Sequence, residues 1–209
     1  MRKFKTFSIL VAIGIIILIG GTAIAKGKGS KNNPIDTLTP LEIADLAHLR
    51  EEEKLARDVY RYLYDFWGQW IFDNIAASEQ QHMDAVKNLL DRYGIEDPVE
   101  KDIEGVFVNP ELQDLYDSLI AIGESTQLNA LWVGATIEDL DIFDIQHMLD
   151  NTDKSDLVSV YENLMKGSRN HLRSFCGLLD SLGETYDAQY LSQDEVDSIL
   201  STAKETGPK

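Results

Sequence analysis

The segment SEQQHMDAV, residues 78–86, places Glu79 and His82 three residues apart. In a helix this spacing puts the carboxylate and the imidazole on one face, where both can ligate a metal ion. A solvated helix face would explain a single pair of this kind as well. Ile75 and Val86, however, continue the same face as an apolar stripe. The pair therefore lies within a face that should pack against other helices.

Three other predicted helices carry apolar stripes that polar residues interrupt near the middle. A buried carboxylate without a partner is costly. Four interruptions of this kind are therefore better explained by a common centre than by contact with solvent. The predicted metal ligands are Glu53, Glu79, His82, Glu138, Asp141 and His171.

The ligand types indicate which cation such a centre would hold. Four carboxylates balance the charge of two divalent ions. Mixed carboxylate and imidazole ligation without thiolate favours iron or manganese over a structural zinc site. Two iron ions are the expected cofactor, with manganese as the alternative. The single cysteine, Cys176, excludes an intrachain disulfide framework and a CxxC zinc or rubredoxin-type module.

The charge balance argues against a nucleic acid partner. The 209 residues include 36 Asp and Glu against 19 Lys and Arg, which gives a formal net charge of −17. Such a surface repels phosphate groups and attracts cations. The length and the 44% hydrophobic content suffice for one domain with a substantial core.

The N-terminal segment has the layout of an export signal. A basic start, MRKFK, precedes an apolar run and the small residues Ala23 and Ala25. Residues 1–25 are predicted to be a signal peptide, and a membrane anchor over residues 7–25 is the alternative. Residues 26–38 form a predicted flexible linker. The protein is therefore expected to be exported or held at a membrane by this anchor.

The remaining chain predicts an all-α fold, because no segment shows the alternation of a strand. Capping signals mark helix starts at Thr39, Ser125 and Ser192. Residues 39–182 should form a four-helix bundle, and residues 183–209 a C-terminal extension with one short helix. Before that short helix, the expected helices span residues 39–64, 69–92, 110–122, 125–149 and 154–182.

The predicted connectivity is ferritin-like. A long crossover connection, residues 94–124, joins two helical hairpins, whereas a simple up-down bundle needs only a short loop there. The polar residues repeat in the same order in both hairpins. Glu53 precedes Glu79 in the first hairpin, and Glu138 precedes Ser168 in the second.

Several of these segments resemble motifs of the rubrerythrins. EKLARDVY, residues 53–60, is similar to their first-helix ExxAxxxY, whose Glu is an iron ligand. IAASEQQHM is similar to their second-helix ExxH, and GATIEDLD to their third-helix ExxE, with Asp141 in place of the second Glu. Together with GSRNHLRSF, residues 167–175, these motifs resemble the ferritin-like family termed domain of unknown function 2202, over residues 41–182.

The resemblance implies a ferritin-like fold and a di-iron or related centre. Glu79 and Glu138 would bridge the two ions, and the other predicted ligands would each bind one. The chain departs from the rubrerythrin pattern at Ser168, where the fourth helix of those proteins has a Glu. Tyr60, Ser168 and Asn170 are expected beside the ligands, in positions that orient them. His48 and His147 lie off the polar band and are expected to be surface or boundary residues.

Two functions follow from this pattern. The first is a redox enzyme that reacts with dioxygen or peroxide and needs an external electron donor, since the chain lacks a rubredoxin-like module. The second is a non-catalytic exported module, in which a partly degenerate site binds metal for stability or the helices bind a partner. Neither function specifies the oligomeric state, and a homodimer is compatible with both.

Overall fold

A computed structural model describes residues 37–99 and 101–207, and all regular secondary structure in this part of the chain is α-helical. The all-α prediction is confirmed for it. The predicted signal peptide or anchor, residues 1–25, lies outside the described residues. None of the described helices is long and apolar enough to cross a membrane. The helices are α1 (Pro40–Trp67), α2 (Trp70–Tyr93), α3 (Pro110–Gly123), α4 (Gln127–Asp150), α5 (Ser155–Ser181) and α6 (Gln193–Leu200).

Local capping chemistry explains most helix starts. The Thr39 side chain accepts a hydrogen bond from the Glu42 amide, and Glu42 accepts one from the Thr39 amide, as the sequence predicted. Ser192 forms the same capping box at α6. The prediction for α4 was wrong by one residue. Thr126 is its N-cap, whereas the Ser125 hydroxyl donates to the carbonyl of Ile122 at the end of α3.

The helices pair as two hairpins, α1 with α2 and α4 with α5. The hairpins meet through contacts of α1 with α4 and of α2 with α5, and α3 packs against α1 and α4. Gly68 ends α1 with a φ of 68°, a left-handed conformation that lets the chain turn directly into α2. Because α2 belongs to the first hairpin and α4 to the second, the long connection between them crosses from one hairpin to the other.

Two apolar clusters fill the space between the four long helices. One includes Tyr60, Phe72 and Phe175, and the other includes Leu49 and Val86. On α1, α2 and α5 the residues predicted as metal ligands fall between the parts that belong to the two clusters. On α4 the first cluster continues past Glu138 and Asp141 to Ile142. A polar layer thus lies near the boundary between the two clusters.

Helix α1 is buried on all sides from residue 50 to residue 60. One side faces the core, and the other is covered by the segment that follows α2. Arg57 binds Asp102 of that segment, and Glu51 accepts hydrogen bonds from the amides of Val108 and Asn109. These contacts fix the connection against α1 and exclude water from the helix that carries Glu53.

Candidate metal centre

Two groups of ligand-type residues converge in the polar layer, and Glu79 belongs to both. The first group is Glu53, Glu79 and His82, and the second is Glu79, Glu138 and His171. Within each group the three ligand atoms lie within 4.8 Å of one another. Helices α1, α2, α4 and α5 all contribute, as the sequence predicted. Five of the six predicted ligands are therefore brought together.

The two imidazoles lie on different oxygens of Glu79. His82 Nδ1 is 2.6 Å from Glu79 Oε2 and 3.1 Å from Glu53 Oε2. His171 Nδ1 is 2.8 Å from Glu79 Oε1 and 3.3 Å from Glu138 Oε2. The imidazole rings are 5.8 Å apart and inclined by 26°. The centre thus has two similar halves, each with one imidazole and one carboxylate of its own and one oxygen of Glu79.

Most of these close approaches lack hydrogen-bond geometry. Only the contact between His82 and Glu53 has it. Both oxygens of Glu79, Oε1 of Glu53, Oε2 of Glu138 and Nδ1 of His171 have no hydrogen-bond partner among the described residues. The three glutamates are fully buried. Buried polar atoms that converge on common points without bonding one another are arranged as ligands of a cation are, so these residues fit a pair of metal ions.

Burial and the mutual charges shift the pKa values of these groups in a consistent way. Burial raises the pKa of Glu53 to about 7, although His82 acts in the opposite direction. Burial would also raise the pKa of Glu79, but the two imidazolium groups lower it well below its ordinary value. Burial lowers the pKa of His171, but Glu79 and Glu138 outweigh this and raise it to about 10. In the absence of a cation, protonated imidazoles therefore neutralise the carboxylates, and metal binding would displace those protons.

Asp141, the sixth predicted ligand, lies beside the centre but in neither group. It is 1% exposed, and neither of its oxygens has a hydrogen-bond partner among the described residues. Burial, followed by the charges of Glu52 and Glu53, raises its pKa well above the ordinary value. Its role as a ligand remains a prediction.

The three residues expected beside the ligands occupy different environments. The Tyr60 hydroxyl donates a 2.5 Å hydrogen bond to Glu138 Oε1, and burial and the Glu138 charge raise the pKa of this phenol. Ser168 is fully buried, but its hydroxyl bonds to the carbonyl of Leu164. Asn170 bonds to Glu205 and Arg173 and thus faces the C-terminal extension. Of the three, Tyr60 alone forms a hydrogen bond to a member of the two groups.

Gly167 has a role that the sequence pattern did not reveal. A Cβ at this position of α5 would lie 2.6 Å from Nε2 of His82, so only glycine lets the imidazole approach the helix this closely. The available signal was a glycine inside a long predicted helix, next to Ser168. A mid-helix glycine is unfavourable by about 1 kcal/mol and usually has a packing or functional reason.

A cleft of about 840 Å³ reaches the centre from the end of the bundle where α1 turns into α2. His171 forms part of its wall, together with Ile75, Ser78 and Leu131. The half of the centre that contains His171 therefore borders this cleft.

Comparison with known proteins places this chain in a family. The profile of the family described as an uncharacterized protein domain, DUF2202, matches residues 42–203. The chain belongs to the DUF2202 family. The Methanocaldococcus jannaschii protein MJ0754 is 51% identical over 174 residues, which make up 83% of this chain and 94% of that protein.

The DUF2202 fold has also been solved for that relative. The crystal structure of hypothetical protein MJ0754 from Methanococcus jannaschii DSM 2661 matches with a TM-score of 0.81 at 50% identity. The match covers 83% of this chain and 99% of that chain. The helical arrangement described above is thus shared with an experimentally determined structure.

Proposed function

We propose that this DUF2202 protein is an exported ferritin-like four-helix bundle that binds two metal ions and reacts with dioxygen or peroxide. Iron is the expected metal, and manganese is the alternative. The observation that carries the proposal is the pair of ligand groups that share Glu79, with buried oxygens that no hydrogen bond satisfies. Ferritin-like proteins build carboxylate di-metal centres from inward-facing residues of four helices in this way.

Each residue has a specific task in this proposal. Glu79 would bind both ions, one through each carboxylate oxygen. Glu53 and His82 would complete one position, and Glu138 and His171 the other. Glu138, for which the resemblance implied a bridging role, belongs to one group only and would bind one ion. Iron, when bound, supplies the electrons that reduce dioxygen or peroxide, and an external donor would restore them.

The surroundings of the centre support the same chemistry. The two apolar clusters on either side limit access by water, which strengthens electrostatic interactions between the carboxylates and a cation. Tyr60 holds Glu138 through its hydroxyl and fixes the orientation of that carboxylate. The cleft next to His171 offers a small oxidant a route to one side of the centre.

Anaerobic titration with Fe²⁺ tests the proposal. Wild type should take up two more ions than Glu79→Ala, because this substitution removes a ligand of both positions. Addition of dioxygen or peroxide to the loaded wild-type protein should then change its ultraviolet absorbance and oxidise the iron. Equal Fe²⁺ uptake by wild type and Glu79→Ala would show that Glu79 is not a ligand.

The second candidate function is a metal-binding module without redox activity. Ser168 favours it, because a buried hydroxyl that bonds to its own helix stands where rubrerythrins have a carboxylate. Asp141, outside both groups, points in the same direction. Uptake of two Fe²⁺ ions without their oxidation under dioxygen or peroxide would establish this function in place of the first.

A further inference from the structure

A third group of ligand-type residues lies outside the centre, on the adjoining faces of α1 and α4. It consists of His48, Glu52 and Asp144, which we call the outer group. His48 Nε2 is 3.5 Å from Asp144 Oδ2 and 3.8 Å from Glu52 Oε2. One ligand atom from each residue lies within 4.8 Å of the other two.

Glu52 is the member of this group that requires explanation. It is 1% exposed, and neither of its oxygens has a hydrogen-bond partner among the described residues. No Lys or Arg of the described chain forms an ion pair with it, and its nearest basic group is His48. The other charges that act there are carboxylates, including Glu53 and Asp141. A buried carboxylate in such surroundings is strongly destabilising unless a cation neutralises it.

We propose that His48, Glu52 and Asp144 bind a third divalent metal ion, separate from the two ions at the Glu79 centre. An ion with two carboxylate ligands and one imidazole would satisfy the oxygens of Glu52 and offset the acidic surroundings. The imidazole favours a first-row transition ion over Mg²⁺ or Ca²⁺, which prefer oxygen ligands alone.

The exposure of the outer group is graded from solvent to core. The side chains of His48 and Asp144 are 25% and 22% exposed, whereas that of Glu52 is 1% exposed. An ion could therefore meet His48 and Asp144 first and reach Glu52 at the inner end. The helical spacing supports the arrangement, because residues 48 and 52 are one turn apart on α1.

A proton offers an alternative explanation for Glu52. Burial and the neighbouring charge of Asp144 raise the pKa of Glu52, so a protonated Glu52 could donate a hydrogen bond to Asp144. In that case the outer group would take up no metal. The two explanations thus differ in a quantity that can be measured directly.

Equilibrium dialysis of the full chain against Co²⁺ distinguishes them. We expect three ions for wild type, two for Glu52→Gln, one for Glu79→Ala, and none for the double variant. Asp65→Asn is the matched control, since it removes one negative charge from an exposed position on the same helix and should leave uptake at three. In wild type, a large excess of Mg²⁺ should not displace the Co²⁺ ion bound by the outer group.

The design separates failure of this inference from failure of the proposed function. Equal uptake by wild type and Glu52→Gln would overturn the third site, whatever happens at Glu79. If wild type and Glu79→Ala each take up one ion and Glu52→Gln takes up none, the third site would be supported and the two-ion centre overturned. If Glu52→Gln does not fold, His48→Ala provides the same test at a position that is partly exposed, and it should also lower the uptake by one ion.

Discussion

At the scale of single residues, the geometry of the candidate metal centre depends on the length and shape of individual side chains, which no other residue type would reproduce. Glu79 presents one oxygen to His82 and the other to His171, at 2.6 and 2.8 Å. An Asp at this position would be one methylene shorter and could not reach both imidazoles without movement of α2. Gly167 is required for a steric reason, because any side chain at this position would occupy the space of the His82 ring.

Gly167→Ala should weaken metal binding at the His82 position. The added methyl group would lie 2.6 Å from His82 Nε2, so the ring must move away from Glu53 and Glu79. Gly177→Ala is the matched control on the same helix, where a Cβ meets nothing within 4 Å. We expect the control to gain about 0.5–1 kcal/mol in the free energy of unfolding and to retain wild-type metal affinity. Titration of both variants with Fe²⁺ measures the difference, and equal affinities would contradict the role given to Gly167.

At the scale of helices, periodicity predicted the elements well because apolar stripes mark the faces that pack. It placed Glu53, Glu79 and Glu138 on such faces, and the structure brings them together. The same rule fails on α1 between residues 50 and 60, where charged side chains are buried on every side. Sequence periodicity assigns these residues to solvent, because the segment that covers them comes from a distant part of the chain.

The same limit applies to Glu52, which the sequence pattern did not single out, and to His48, which it predicted to be a surface or boundary residue. A residue adjacent to Glu53 points about 100° away around the helix, off the apolar stripe. The fold instead brings Asp144 of α4 to that face. The error at the start of α4 has a simpler cause, since Ser125 and Thr126 are adjacent and both residue types cap helices well.

Asp139 of α4 holds the C-terminal extension, and its loss should loosen that element. The fully buried carboxylate accepts hydrogen bonds from the Tyr186 hydroxyl and from the amides of Gln189, Tyr190 and Leu191. Asp139→Asn cannot accept all of them, and we expect a loss of about 1.5–3 kcal/mol in the free energy of unfolding. Urea denaturation measures this loss, and hydrogen exchange should show faster exchange at these amides.

The control for this prediction is Asp187→Asn, an exposed carboxylate in the same loop. It should change stability by less than about 0.5 kcal/mol. Similar losses in both variants would mean that the charge of the loop, rather than the hydrogen bonds of Asp139, stabilises the extension.

The end of the extension should be pH-dependent through Glu205. Hydrogen bonds from Arg169, together with those from Arg173, lower the pKa of Glu205 from 4.5 to about 2. Because the folded-state pKa is the lower one, the stabilisation is present above pH 4.5 and is lost as the pH falls towards 2. Glu205→Gln should thus be less stable than wild type at pH 7, by about 1 kcal/mol or less because the pair is partly exposed.

The measurement for Glu205 is the difference in unfolding free energy between variant and wild type as a function of pH. This difference should shrink between pH 4.5 and 2. Glu96→Gln, an exposed residue that forms no ion pair in the described chain, is the control and should change the free energy of unfolding by less than about 0.5 kcal/mol. A constant difference for Glu205→Gln would argue against the pairing with Arg169.

At the scale of the whole molecule, an acidic protein keeps some of its carboxylates in its interior. The formal net charge is −17. Besides its acidic surface, the protein has buried glutamates in the polar layer near the boundary of the two apolar clusters. Removing metal would leave these groups dependent on protonated imidazoles for neutralisation. Stability should therefore depend on metal more strongly than in a bundle with an apolar core throughout.

Melting curves with and without metal test this dependence. A ligand that binds only the folded state at a hundredfold excess over its Kd adds about 2.7 kcal/mol to stability. For a chain of this size that corresponds to a rise of roughly 5–10 °C in Tm. Wild type should therefore melt higher in excess Mn²⁺ than in a chelator, near neutral pH.

Glu79→Ala gives this experiment its sharpest comparison. In chelator the variant should melt below wild type, because His82 and His171 lose the carboxylate that both imidazoles approach in the empty site. In excess Mn²⁺ the difference should widen, because wild type gains two bound ions that the variant cannot hold. Any metal-dependent rise in Tm that remains in Glu79→Ala should vanish in the double variant with Glu52→Gln, since the outer group would be the remaining metal site. Equal rises in wild type and Glu79→Ala would place the stabilising metal away from Glu79.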